Sequence, residues 1–173
     1  AYLNHFTINT SEFFRNPKNF EYLQDEVLPD LFERNNKIKI WSAPCSNGSE
    51  PYTIAIILNE MGIKESRYEI LASDLDEQII EFAKNGVYNN NSLKNVSDKL
   101  LNKYFNKLPR KNKYQLSNSI IQEVKFKKMD LINERYKNDW DLILSRNFFI
   151  YLTKEIKDTL TKKFVSSLKP KGY

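Results

Sequence analysis

The chain has 173 residues, of which 40% are hydrophobic and 28% charged, with a net charge of +5; this describes one globular domain with a sizeable core. No apolar run approaches the ~20 residues of a membrane span, no signal peptide opens the sequence, and the single cysteine, Cys45, excludes an internal disulfide, so a reducing cytoplasmic setting is expected. One histidine, His5, argues against a His-rich metal site or histidine-based catalysis, and scattered lysines without a basic arm argue against nucleic acid.

Asn9-Thr-Ser-Glu-Phe-Phe-Arg15 precedes Asn16-Pro17, a capping residue and a helix-opening proline. Phe20, Leu23, Val27 and Leu31 keep helical spacing, with Pro29 expected to break or restart the helix. Arg15 reads equally as a surface arginine or as a guanidinium fixed by the two neighbouring phenylalanines.

The stretch from Lys37 to Leu58 organises the rest. Ile38, Ile40 and Trp41 read as a buried strand. Residues 42–49 are small and polar with one glycine, and Pro51 suits the first position of a helix that continues through Leu58. Strand, small-residue loop and helix are how doubly wound α/β proteins hold a nucleotide-like ligand above a strand end. The loop lacks the Gly-Lys-Ser/Thr of a phosphate loop and the spaced glycines of a dinucleotide fingerprint. Glu50 at the helix entrance discourages phosphate and suits a cationic or hydroxyl-bearing group.

Met61-Gly62 ends that helix, and residues 68–72 form a second strand running into Ser73-Asp74-Leu75-Asp76. An acidic side chain there is placed to bind ribose hydroxyls. Asp76 is better read as the N-cap of a helix closed by Gly86, leaving Asp74 as the binding candidate. Ser97 caps a short helix, and residues 114–116 and 120–126 look like an antiparallel hairpin that interrupts the α/β rhythm as a small insertion. Residues 140–144 read as a third core strand, with Arg146 and Asn147 at its ligand-binding end. Thr153 caps a last helix carrying Ile156, Leu160, Phe164 and Leu168. This reading leaves the sheet short of its final strands, with an edge expected to be covered by another segment or a partner.

Five segments together resemble the CheR family of S-adenosylmethionine-dependent methyltransferases that esterify glutamates on bacterial chemoreceptors. They are Asn9–Arg15, Trp41–Tyr52, Ala72–Asp76, Met129-Asp-Leu131 and Ser145–Tyr151. The resemblance implies a Rossmann-like class I methyltransferase sheet with helices on both faces and an inserted antiparallel β-subdomain at about 103–130. It implies that Asn9, Ser11 and Arg15 approach the cofactor from the N-terminal segment and that Glu50 contacts its methionine portion. Asp74 would bind the ribose, Asp130 and Leu131 would flank the adenine, and Arg146 and Asn147 would complete the pocket. Arg15 and Tyr151 would stand nearest the reacting groups. No metal is implied, and the partner would be the cytoplasmic domain of a methyl-accepting receptor.

The sequence departs from the family pattern at Pro44, usually Gly or Ala, at Ser49, usually acidic, and at Asp130, often Asn. The family's helical N-terminal domain is not recognisable beyond a possible remnant in residues 1–8. Residues 103–130 contain no glycine, which favours recognition independent of a receptor-tail peptide. Two rival readings are a nucleic-acid methyltransferase and a cofactor-binding module without transfer. Ser145-Arg146-Asn147-Phe148 does not match the Asp/Asn-Pro-Pro-Tyr/Phe loop typical of methylation at exocyclic base nitrogens.

Overall fold

A computed structural model describes residues 11–109 and 112–173; Asn9 and residues 1–8 lie outside the described residues. Helix α1, Pro17–Tyr22, runs through a π turn, Leu23–Val27, into α2, Leu28–Arg34. Pro29, expected to break or restart the helix, restarts it: after the π turn it sits in the opening turn of α2, where its missing amide removes little. Asn16, expected to cap α1 through its side chain, makes no side-chain cap. It adopts a left-handed backbone (φ 56°), and its carbonyl accepts from the Asn19 amide at 2.9 Å.

Strand β1, Ile38–Ser42, feeds α3, Ser49–Glu60, and then β2, Tyr68–Asp74. Helix α4, Glu77–Asn85, starts on Asp76, whose carboxylate accepts from the amides of Gln78 and Ile79, and ends on left-handed Gly86, as the sequence predicts. Next come β3, Val87–Asn89, α5, Asp98–Tyr104, and β4, Phe105–Lys107. They are followed by β5, Lys113–Leu116, α6, Asn118–Gln122, and β6, Val124–Lys128. Strand β7, Leu142–Leu144, and α7, Lys154–Ser167, complete the order.

The main sheet is parallel in the order β6-β2-β1-β7, with Ile40 opposite both Ile70 and Leu142, and Ile70 opposite Val124. The small antiparallel sheet has the order β3-β5-β4. This corrects the expected hairpin. Residues 120–126 are not its second strand: Ile120 and Ile121 belong to α6, and Val124–Lys128 joins the parallel sheet beside β2. The antiparallel strands therefore fall within residues 87–116 rather than 103–130. The expected strand at 140–144 is shorter, since Trp140 makes only a bridge to Leu168. Tyr173 lies along β7: its amide donates to the Asp141 carbonyl at 3.0 Å, and its carbonyl accepts from Ile143 at 2.9 Å.

Alternation along β1 divides the core. Ile38 and Ile40 face one cluster with Ile54, Leu58, Phe13 and Tyr88, while Trp41 faces another with Trp140, Leu160 and Phe164. Trp41 stacks on Trp140 with centroids 5.5 Å apart, and its indole N–H donates to Ser73 Oγ at 2.9 Å. Burial on both faces explains why a parallel strand here reads as an almost continuous apolar run. At the amino end of the sheet, Asn59 Nδ2 donates to both carboxylate oxygens of Glu123 at 2.9 and 3.0 Å. The Tyr68 hydroxyl adds a third donor to Glu123 at 2.8 Å.

Candidate S-adenosylmethionine site

The opposite end of the same sheet opens into a cleft of about 1090 Å³. Its walls come from the loop after β1 (Pro44–Ser46), the first turn of α3 (Glu50), and the segment after β2 (Asp74–Gln78). Residues after β6 (Lys128–Ile132) and after β7 (Arg146–Phe148) close it, as do Ser11, Arg15 and Tyr151. Parallel strands aim all their carboxyl ends one way, so loops far apart in sequence converge there.

Glycine is required at one point of the first loop. Gly48 has φ 83°, and a Cβ there would stand 2.9 Å from the Ala83 Cβ and 3.0 Å from the Tyr52 ring. The tight turn lets α3 begin close to the end of β1 and brings Glu50 into the cleft. Glu50 Oε1 accepts from Ser42 Oγ at 2.8 Å, and Oε2 lies 3.7 Å from Arg146 Nη1. Its side chain is 13% exposed. Burial pushes its pKa above the ordinary glutamate value, while the Ser42 hydrogen bond and Arg146 oppose the shift.

Asp74 Oδ2 accepts from the Ser46 amide at 2.8 Å, and Oδ1 accepts from the Asp76 amide at 3.1 Å. Burial also raises its pKa, with the amides of Asp76 and Ser46 pulling the other way. Each carboxylate oxygen still has acceptor capacity for a ligand hydroxyl. Asp74 thus does more than the sequence predicts, since it also holds the loop after β1.

Arg146 gathers the N-terminal segment. Its Nη2 donates to the Arg15 carbonyl at 2.6 Å, and its guanidinium stands 4.8 Å from the Phe20 ring centroid. Burial lowers its pKa, Glu50 opposes this, and the nearby positive charge of Arg15 adds to it. On the other side, Phe13 is fully buried with its ring 4.8 Å from Tyr88 and 5.2 Å from Phe105, and Phe14 donates its amide to Thr53 Oγ1 at 3.1 Å. Arg15 is therefore carried on a strap tied at both flanks. Tyr151 sits in a short 3₁₀ turn at the rim, 57% exposed.

Left-handed backbone concentrates here. Among the described non-glycine residues with positive φ, Phe14 (53°) and Asn16 (56°) flank Arg15, while Ser46 (49°) and Asn147 (59°) line the cleft. Such conformations are retained where the surroundings over-determine them, commonly at binding sites.

The cleft brings together Ser11, Arg15, Glu50, Asp74, Asp130, Leu131, Arg146, Asn147 and Tyr151. Asn9 lies outside the described residues. The Asp130 carboxylate is directed into its own turn: Oδ1 accepts from the amides of Ile132 and Asn133, and Oδ2 from Asn133 Nδ2. Its part in the wall is to shape the backbone. Sequence reasoning missed Ser42, the partner of Glu50, and Ile156, read only as part of the last helix's apolar repeat, which packs against the Trp41 cluster and also lines the cleft. Ser42 stood within the recognised loop; nothing in the spacing of Ile156 separates a core residue from a wall residue.

Residues 9–173 match the family described as CheR methyltransferase, SAM binding domain. The chain belongs to the CheR family. The chemotaxis protein methyltransferase of Listeria monocytogenes is 35% identical over 167 residues, covering 96% of this chain and 63% of that protein. The Borreliella burgdorferi protein of the same description is 36% identical over 176 residues, 95% of this chain and 62% of that one. The chain thus spans somewhat less than two thirds of these curated relatives. Among solved structures, the glycopeptide N-methyltransferase MtfA complexed with S-adenosylmethionine matches with a TM-score of 0.56 at 10% identity, covering 94% of this chain and 52% of that one. At that identity the likeness shows the fold alone, a class I methyltransferase sheet.

S-adenosylmethionine is the cofactor of this CheR domain, and the cleft's chemistry fits it. Two carboxylates face a space large enough for a nucleoside with an amino-acid arm. Ser46 Oγ, on a cleft-lining residue, is buried without a hydrogen-bond partner and is available to a polar group placed there.

Proposed function

We propose that this domain serves a protein-glutamate O-methyltransferase, which forms methyl esters on glutamate side chains in the cytoplasmic domain of bacterial chemoreceptors. The observation that carries the reading is the convergence of Glu50, Asp74 and Arg15 on one cleft at the carboxyl ends of the sheet. S-adenosylmethionine supplies an electrophilic methyl group to the substrate carboxylate. Glu50 would hold the cationic amino-acid arm of the cofactor, Asp74 the ribose, and the Asp130–Ile132 wall the adenine.

A glutamate substrate is already ionised at neutral pH, so the reaction needs no general base. Attack of an anion on a cation diminishes charge, so a water-poor, aligned pocket favours it. Arg15 can present its planar fork to the carboxylate and aim it. Its useful role is orientation, because equal binding of ground state and transition state adds nothing to turnover. Tyr151 at the rim would shape the approach or donate a hydrogen bond. The described residues contain no helix long and apolar enough to cross a membrane.

The test is transfer of tritium from labelled S-adenosylmethionine to a purified receptor cytoplasmic fragment, using the chain within its full-length protein. Base-labile label in the fragment is the expected result. Cofactor binding without transfer, or label in nucleic acid, would overturn the assignment.

A further inference from the structure

The adenine wall is held from behind by a residue outside the cleft. After β6 the chain turns sharply at Asp130–Glu134. The Asp130 amide donates to Glu134 Oε1 at 2.9 Å, and the Glu134 amide returns to the Asp130 carbonyl at 2.9 Å. Together with the Asp130 side-chain bonds, this closes a tight turn whose carbonyls must find donors elsewhere.

Lys163 on α7 supplies them. Its Nζ donates to the carbonyls of Leu131 at 2.7 Å, Ile132 at 2.9 Å and Glu134 at 2.8 Å. An ammonium has three protons, and all three are used. The same ammonium lies 4.3 Å from the Tyr136 ring centroid, and the Tyr136 hydroxyl donates to the Leu131 carbonyl at 2.6 Å. Asp130, Leu131 and Ile132 line the cleft, whereas Lys163 lies behind them. Three carbonyl dipoles pointing at one place repel one another unless a cation sits among them.

We propose that Lys163 is a positioning residue for the cofactor's adenine: its ammonium draws three carbonyls of the turn together and so sets the wall against which the base lies. This rests on the reading that Asp130 and Leu131 flank the adenine. Methionine matches the lysine stem as far as Cε but lacks the terminal ammonium and donates nothing. Arginine keeps the charge, but its planar fork cannot meet three carbonyls converging on one point. Both substitutions should loosen the turn while leaving the Glu50 and Asp74 ends of the cleft in place.

Calorimetry with S-adenosylhomocysteine and with S-ribosylhomocysteine, which lacks the base, separates this from a general loss of structure. In Lys163→Met, affinity for S-adenosylhomocysteine should fall about five- to tenfold, one net hydrogen bond's worth, with affinity for the base-free probe unchanged. Lys163→Arg should show the same selective loss to a smaller extent, and it decides the matter if Lys163→Met does not fold by circular dichroism. Equal loss for both probes, or wild-type affinities in a folded variant, would overturn the role of Lys163 alone. Failure of the wild-type protein to bind S-adenosylhomocysteine would overturn it together with the site reading.

Discussion

The Ser46 amide donates to Asp74 Oδ2 at 2.8 Å, which stitches the loop after the first strand to the end of the second. One carboxylate therefore both shapes the cleft and faces it. Asp74→Ala should weaken S-adenosylhomocysteine binding by about 1–3 kcal/mol, the cost of losing a charge-assisted contact and leaving a buried amide unpaired. Asp74→Asn, which can still accept from Ser46, should lose less. Calorimetry checks both, and unchanged affinity in the alanine variant would remove Asp74 from the binding site.

Acid should weaken the cofactor site early. The Glu50 pKa is raised chiefly by burial, and so is that of Asp74. A raised carboxyl pKa keeps the proton to a higher pH, so the ionised form that pairs with an ammonium is lost sooner as pH falls. Affinity should drop with a midpoint above the ordinary glutamate value of 4.5. Glu50→Gln should bind more weakly at neutral pH and show a shallower decline. A calorimetric pH series reads this directly, and an affinity flat down to the ordinary value would contradict it.

Arg15 separates turnover from folding. With the Arg15 carbonyl held by Arg146 and Phe13 buried beside it, the strap does not depend on the guanidinium alone. Arg15→Ala should lower methyl transfer on the order of 10²-fold through loss of alignment, with little change in melting temperature. Arg15→Lys, which keeps the charge but not the fork, should fall between. Wild-type transfer by the alanine variant would refute the orienting role.

Phe13 gives the converse result. Its fully buried ring packs edge-on against Tyr88 and Phe105, so Phe13→Ala should cost about 3–5 kcal/mol in urea unfolding. A loss well under 1 kcal/mol would show that the strap is not anchored there.

The parts readable from sequence were those determined by short-range chemistry. The alternation Ile38–Ile40, the Asp76 and Thr153 caps and the left-handed Gly86 all depend on a few neighbouring residues. Glu50, Asp74 and Arg146 could be placed near one another in advance because they lie at the carboxyl ends of parallel strands or in the segments just after them, where topology leaves little choice. Residues 120–126 were misread because a short apolar run does not distinguish the end of a helix from a strand. The partner of β6 is also more than 50 positions earlier in the chain, at Ile70–Asp74. Of the two outcomes open for Pro29, a break or a restart, the restart holds: the π turn before it shifts the helical register so that the proline opens a new segment. The three carbonyls around Lys163 had no sequence signal, since they are contacts of backbone with a distant side chain.

The Asn59, Tyr68 and Glu123 cluster lies at the amino ends of the strands, at the opposite end of the sheet from the cleft. One carboxylate is thus fully engaged by neighbouring donors at one pole of the scaffold while others face open space at the opposite pole, and none of Asn59, Tyr68 and Glu123 lines the cleft.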